Sequence, residues 1–174
     1  MAKKQLITLH PGEIGFASED TVLATLLGSC VSIVLWHPLR RIGGMCHFML
    51  PRRPKLFPVQ LPDGRYGEDA MTVMLQSILK HKTQPAEYSA WLIGGARILA
   101  DQRSSIGDMN VIAGREFLDR YNIATIHEHI GGNGYRRIRF DIGSGNVDIR
   151  SQSHDITAHA DSSVSHKILG HIFG

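Results

Sequence analysis

Apolar positions along this chain follow two rhythms, and each predicts a different element. Short runs that alternate or are continuously apolar predict strands over residues 5–9, 21–27, 31–36 and 42–50. Between the last two, His37, Pro38, Leu39, Arg40 and Arg41 supply a turn, because proline fixes φ and has no N–H for a ladder. Residues 51–67 carry Pro51, Pro54, Pro58 and Pro62 with an Asp63-Gly64 turn signal, and read as an extended surface loop. The rhythm then changes. Ala70, Met71, Met74, Leu75, Ile78 and Leu79 recur at helical spacing with Asp69, Gln76 and Lys80 outside the stripe, predicting a helix over 66–82. A buried strand over 89–93 ends at Gly94-Gly95, and a second helix starts near Asp108 or Asn110, both good N-caps, and runs to about residue 121. A strand over 123–130 and a hairpin of 136–142 with 147–149, turning at Gly143, Ser144, Gly145 and Asn146, complete the pattern. Strands mixed with two helices predict a mixed α/β or α+β domain rather than a bundle or an all-β sandwich.

Composition narrows this picture. A length of 174 residues with 43% apolar content is the size of one ordinary domain. The organised part is expected over residues 1–150, followed by a polar tail over 151–174 in which Ile168, Leu169, Ile172 and Phe173 are the anchoring candidates. That tail holds His154, His159, His166 and His171, but without a ligand motif or a nearby cysteine surface histidines outweigh a metal site, and no metal is expected. Lys3 and Lys4 lead into a mixed segment rather than an apolar leader, and no stretch is long enough to span a bilayer. Two cysteines, Cys30 and Cys46, without a C-x-x-C pair favour free thiols in a reducing, cytoplasmic compartment. The net charge of +3 is mild. Its clusters, Arg52, Arg53 and Lys55, then Arg136, Arg137 and Arg139, lack the interleaved aromatics of a nucleic-acid binder and read as solvated edges, or as a rim for an acidic protein partner.

The chemistry concentrates at Gly28, Ser29 and Cys30, where a strand end meets two small residues and then a thiol. Small residues let the backbone turn sharply and free neighbouring N–H groups for an oxyanion. A lone cysteine beside a strand is more often a packing residue, and His47 is what changes the odds. If 31–36 and 42–50 pair across a two-residue turn, paired numbers sum to 77 and Cys30 faces His47. A four-residue turn sums to 79, setting Cys30 opposite Met49 and His47 opposite Ser32. Either register puts thiol and imidazole on one face, about 5 to 8 Å apart at Cβ. A three-residue turn would put them on opposite faces. Cys46, next to His47, points the other way and is expected to pack.

Thr25, Leu26, Leu27, Gly28, Ser29, Cys30 and Val31, followed by Gly43, Gly44, Met45, Cys46, His47, Phe48, Met49, Leu50 and Pro51, resemble the active-site signature of the CheD family, the chemoreceptor glutamine deamidases. Further family-like pieces follow in order: Tyr66 before a helix, Gly94-Gly95-Ala96, Ile106-Gly107 with Asn110, and Gly131-Gly132-Asn133 followed by Arg136. The resemblance covers roughly residues 5 to 150. It implies a single-domain α/β sandwich of mixed β-sheet, Cys30 as nucleophile, His47 as base, and no cofactor. The implied reaction converts receptor glutamine side chains to glutamate with release of ammonia through a thioester, with a secondary methylesterase activity. The implied partners are the cytoplasmic helices of chemoreceptors and a CheC-type phosphatase, with neither nucleic acid nor membrane insertion. Some relatives carry threonine six residues before the cysteine, where this chain has Ala24. The group orienting His47 is then either the adjacent Thr25 hydroxyl or a backbone carbonyl of the same strand, since any acceptor for the second ring N–H suffices. An imidazole beside the thiol is further expected to depress its pKa below the free value of about 8.5. Two other classes stay open: a peptidase or transglutaminase using the same pair, and a docking adaptor in which the thiol is dispensable.

Overall fold

The computed structural model describes residues 3–54, 61–97 and 105–153. Nine strands and two α-helices follow in chain order: β1 (Gln5–Thr8), β2 (Ile14–Ser18), β3 (Thr21–Leu27), β4 (Val31–His37), β5 (Ile42–Cys46), α1 (Gly67–Lys80), β6 (Ser89–Gly94), α2 (Ile106–Arg120), β7 (Ala124–Ile130), β8 (Tyr135–Asp141) and β9 (Asn146–Gln152). The strands form two mixed sheets, ordered β1-β3-β8-β9 and β2-β5-β4-β6-β7. Pairs β1–β3 and β6–β7 are parallel and the others antiparallel. The two sheets stack as the expected α/β sandwich of mixed β-sheet, with both helices on the outer side of the five-stranded one.

Two cores follow from strand alternation. Odd-numbered residues of β4 (Val31, Ile33, Leu35) and even-numbered residues of the β5 segment (Cys46, Phe48) join Met71, Met74 and Phe117 of the helices. The opposite faces contribute Val34, Met45 and Ile93 to a second core against Leu23, Leu27, Ile138 and Phe140 of the four-stranded sheet. Each fully buried aliphatic side chain contributes roughly 1.5–3 kcal/mol to the sandwich.

Several expected boundaries move, for local reasons. Strand β2 was not predicted: Ile14, Gly15, Phe16, Ala17 and Ser18 form a half-buried edge strand with little β-branched content. The run expected over 42–50 is a ladder only to Cys46; beyond it Phe48 makes an isolated bridge with Val31. Helix α2 starts before both N-cap candidates, because Ser105 accepts from the Asp108 N–H through its hydroxyl and caps the helix three residues earlier than Asp108. Strand β9 runs on to Gln152, so Ser151 and Gln152, expected in the tail, pair with Arg136 and Tyr135. The tail histidines lie outside the described residues. No helix among the described residues is long and apolar enough to cross a membrane.

Candidate active site between the two sheets

The β4–β5 connection is the four-residue turn 38–41, closed by Arg41 in the left-handed region at φ 48°. Paired numbers sum to 79, as in His37 with Ile42 and Val34 with Met45, and the Val31–Phe48 bridge carries this register to the nucleophile segment. Cys30 therefore sits across from Met49, and Ser32 across from His47. Both Cys30 and His47 face the gap between the sheets: Cys30 packs against the inter-sheet core, and the His47 ring reaches the opposite sheet.

There it meets Thr25. The Thr25 Oγ1 lies 2.8 Å from His47 Nδ1 and 2.7 Å from the Leu9 carbonyl oxygen, both in buried surroundings. A hydroxyl has one proton, and a carbonyl can only accept, so Thr25 donates to Leu9 and must accept from Nδ1–H. The neutral imidazole then carries its proton on Nδ1 and a lone pair on Nε2. The His47 backbone is held as well: its carbonyl accepts from the Gly12 N–H at 2.7 Å and its N–H donates to the Glu13 carbonyl at 3.1 Å. Of the two acceptors that the sequence left open, the hydroxyl is the one that meets the ring.

Nε2 is buried and has no hydrogen-bond partner among the described residues; the Ser32 hydroxyl, on the same face, is in the same state. The His47 side of the site is closed, with the residue 2% exposed, whereas Cys30 is partly open. Burial, and secondly repulsion from the neighbouring His10 imidazole, lower the His47 pKa from 6.5 to about 4. Burial likewise raises the Cys30 thiol above its ordinary value, partly offset by its own backbone N–H. This reverses the expected depression of the thiol. No hydrogen bond joins Cys30 to His47, so no ion pair offsets desolvation and both groups rest neutral.

The Gly28–Cys30 loop is fixed through its carbonyls. The Gly28 oxygen accepts from Ala96 N–H at 3.0 Å, the Cys30 oxygen from Gly95 N–H at 2.9 Å, and the Ser29 oxygen from Asn110 Nδ2 at 3.3 Å. No carbonyl among the described residues takes the N–H of Gly28, Ser29 or Cys30. Carbonyls turned inward and N–H groups left over suit an oxyanion. Gly94 (φ 119°) and Gly95 (φ 68°) permit this close approach: a Cβ on Gly94 would overlap the Cys30 carbonyl oxygen, and one on Gly95 would overlap Val111. Asn110 also donates to the Met49 carbonyl at 2.8 Å, tying the thiol loop to the histidine segment from α2. The sequence offers Asn110 as a cap candidate and as part of a family-like piece; its complete burial inside the helix could not be read from composition.

Cys46 sits on the other face. It is fully buried among the helix-side residues, its Sγ is 3.8 Å from the Ile33 carbonyl oxygen, and burial pushes its pKa up to about 12.

Comparison with known proteins points one way. A family model described as CheD chemotactic sensory transduction matches residues 49–151. That segment includes Asn110 and Arg136 but begins after Thr25, Cys30 and His47. The chain is 47% identical over 144 residues to the probable chemoreceptor glutamine deamidase CheD 3 of Dechloromonas aromatica (strain RCB), spanning 81% of this chain and 84% of that protein. It is 38% identical over 156 residues to the probable chemoreceptor glutamine deamidase CheD of Pseudomonas syringae pv. tomato (strain ATCC BAA-871 / DC3000), spanning 87% of this chain and 92% of that protein.

Proposed function

The chain belongs to the CheD family, and from that premise we propose that it is a cytoplasmic, cysteine-dependent deamidase that converts glutamine side chains of chemoreceptors to glutamate. The observation that carries the reading is the Thr25 hydroxyl, whose single proton is committed to Leu9 and which therefore leaves His47 Nε2 as a free base on the face that bears Cys30.

In the proposed reaction Nε2 takes the thiol proton as Sγ attacks the carboxamide carbon of the substrate. Resting neutrality makes this transfer part of the attack rather than a step before it, and closure of the Sγ–Nε2 contact accompanies substrate binding. The oxyanion is met by the N–H groups of the Gly28, Ser29 and Cys30 loop. His47 returns its proton to the amide nitrogen, which leaves as ammonia, and the carbonyl carbon stays on Sγ as a thioester. Water loses a proton to Nε2, adds to the thioester, and releases glutamate and the regenerated thiol. A methyl ester would enter the same cycle with methanol as leaving group. A neutral glutamine becomes an anionic site that can be methylated, which gives the product its role in chemotactic adaptation. A CheC-type phosphatase is the proposed protein partner.

Ammonia release from a receptor cytoplasmic fragment tests the assignment. Cys30→Ala is expected to remain folded and inactive while Cys46→Ala stays active. Equal activity in the two variants removes the nucleophile assignment; peptide cleavage without ammonia, or ammonia release with amine incorporation in place of glutamate, points to the other Cys/His enzymes.

A further inference from the structure

Arg136 reads in sequence as one member of a solvated basic cluster, and the structure separates it from its neighbours. Along β8, Arg137 and Arg139 face outward, while Arg136 lies on the inter-sheet side with Ile138 and Phe140 and is 7% exposed. Its Nε donates to His129 Nδ1 at 2.8 Å and its Nη2 to the Gly131 carbonyl. Both acceptors are neutral, and no carboxylate among the described residues lies within ion-pair distance of it. The exposed arginines Arg52, Arg97 and Arg115, by contrast, each hold an acidic partner. A guanidinium removed from water without a counter-charge is costly, and burial alone accounts for its lowered pKa.

Its place in the fold suggests what offsets that cost. Arg136 pairs with Leu27, three residues before the nucleophile. The Gly131 carbonyl it holds belongs to a residue whose N–H donates to Gly94, next to the Gly95 that holds the Cys30 carbonyl. Strand β4 has β5, which leads directly into His47, on one side and β6, then β7, on the other. The guanidinium thus approaches the thiol loop from the side opposite the base. Its Nη1 makes no hydrogen bond to a described residue, leaving donors for a planar, two-oxygen ligand. We propose that Arg136 binds a carboxylate carried by the substrate protein beside the target glutamine, so that the enzyme selects glutamines with an acidic neighbour. The proposal rests on the deamidase reading for its substrate, and its anion site can be tested without it.

The probe for the site is a pair of alkylating reagents of similar size, anionic iodoacetate and neutral iodoacetamide, with modification read at Cys30 by mass spectrometry. Arg136→Gln is expected to slow iodoacetate about tenfold while leaving iodoacetamide within about twofold, and Arg136→Lys to keep most of the iodoacetate rate. The iodoacetamide rate serves as the control for folding. Equal slowing of both reagents would make Arg136 a structural residue and overturn the proposal. On a receptor fragment, Arg136→Gln is expected to raise KM with little change in kcat. Replacing acidic residues beside the target with alanine is expected to raise KM for the wild type and not for Arg136→Gln. An equal rise in both proteins, with the reagent preference intact, would overturn the substrate carboxylate as the ligand. If no fragment yields ammonia with the wild type, the deamidase reading fails while the reagent ratio still decides the anion site.

Discussion

The two faces of the five-stranded sheet carry the two cysteines of the chain into opposite chemistry. On the helix side, Cys46 is surrounded by Val31, Ile33, Leu35 and Phe48, and burial holds its thiol near a pKa of 12. On the inter-sheet side, the core is apolar around Val34, Met45 and Phe140, but its other end buries Thr25, Ser32, His47 and Arg136 beside Cys30. Buried polar atoms without partners, here His47 Nε2 and Ser32 Oγ, cost on the order of 1–3 kcal/mol each. Burial by itself silences a thiol, and a polar pocket with one oriented lone pair gives it a use. Successive residues of one strand, Cys46 and His47, end on different sides of that divide because strand side chains alternate.

The polar side depends most on the base. His47→Gln is expected to lower kcat by about 10²- to 10⁴-fold, the usual contribution of a positioned general base. Removing only the orienting hydroxyl should cost less: Thr25→Val leaves the ring free to choose its tautomer and is expected to lower kcat by roughly 10- to 100-fold. Thr25→Ser should restore most of it, and a valine variant as active as the serine variant would show that the hydroxyl is packing.

Thiol reactivity sharpens the contrast. Because burial raises the Cys30 pKa above 9.0, alkylation by iodoacetamide is expected to climb with pH through 9 without a plateau between pH 5 and 8. Cys46 should stay unmodified until the protein unfolds. A plateau at neutral pH for Cys30 would mean a preformed thiolate–imidazolium pair, contrary to the neutral resting state.

The smallest expected effect is on acid stability. The folded pKa of His47, about 4, lies below its ordinary 6.5, so the folded state binds fewer protons than the unfolded one between those values. The stabilising contribution of the neutral ring is present above pH 6.5 and is lost as pH falls toward 4. Urea unfolding midpoints are expected to drop less steeply over this window in His47→Gln than in the wild type; parallel slopes would place the imidazole in solvent.

Much of this divide was legible in the chain. Both even-length turns considered for β4–β5 give the shared face of Cys30 and His47 and the three-residue turn reverses it; the four-residue turn that forms has the even parity. The helical stripe was equally plain, since Ala70, Met71, Met74 and Ile78 are buried and Leu75 packs against them as the spacing requires, while Leu79, at its edge, is exposed. What could not be read depends on contacts between sheets. Thr25 meets His47 across two different sheets, and no local pattern encodes that stacking; the sequence left its hydroxyl and a carbonyl as equal candidates. Arg136 was misread because its charge resembles Arg137 and Arg139, although its parity with the buried Ile138 and Phe140 carried the signal. Edge strand β2 escaped because half-buried Gly15 and Ala17 and exposed Ser18 give neither rhythm clearly.

The most direct measurement stops the reaction with acid during turnover of a receptor fragment and looks for the fragment's glutamyl carbon bound to the enzyme. A hydroxylamine-sensitive thioester is expected on Cys30, absent from Cys30→Ala and unchanged in Cys46→Ala. Conversion of glutamine to glutamate that proceeds undiminished in Cys30→Ala, or an adduct on Cys46, would contradict it.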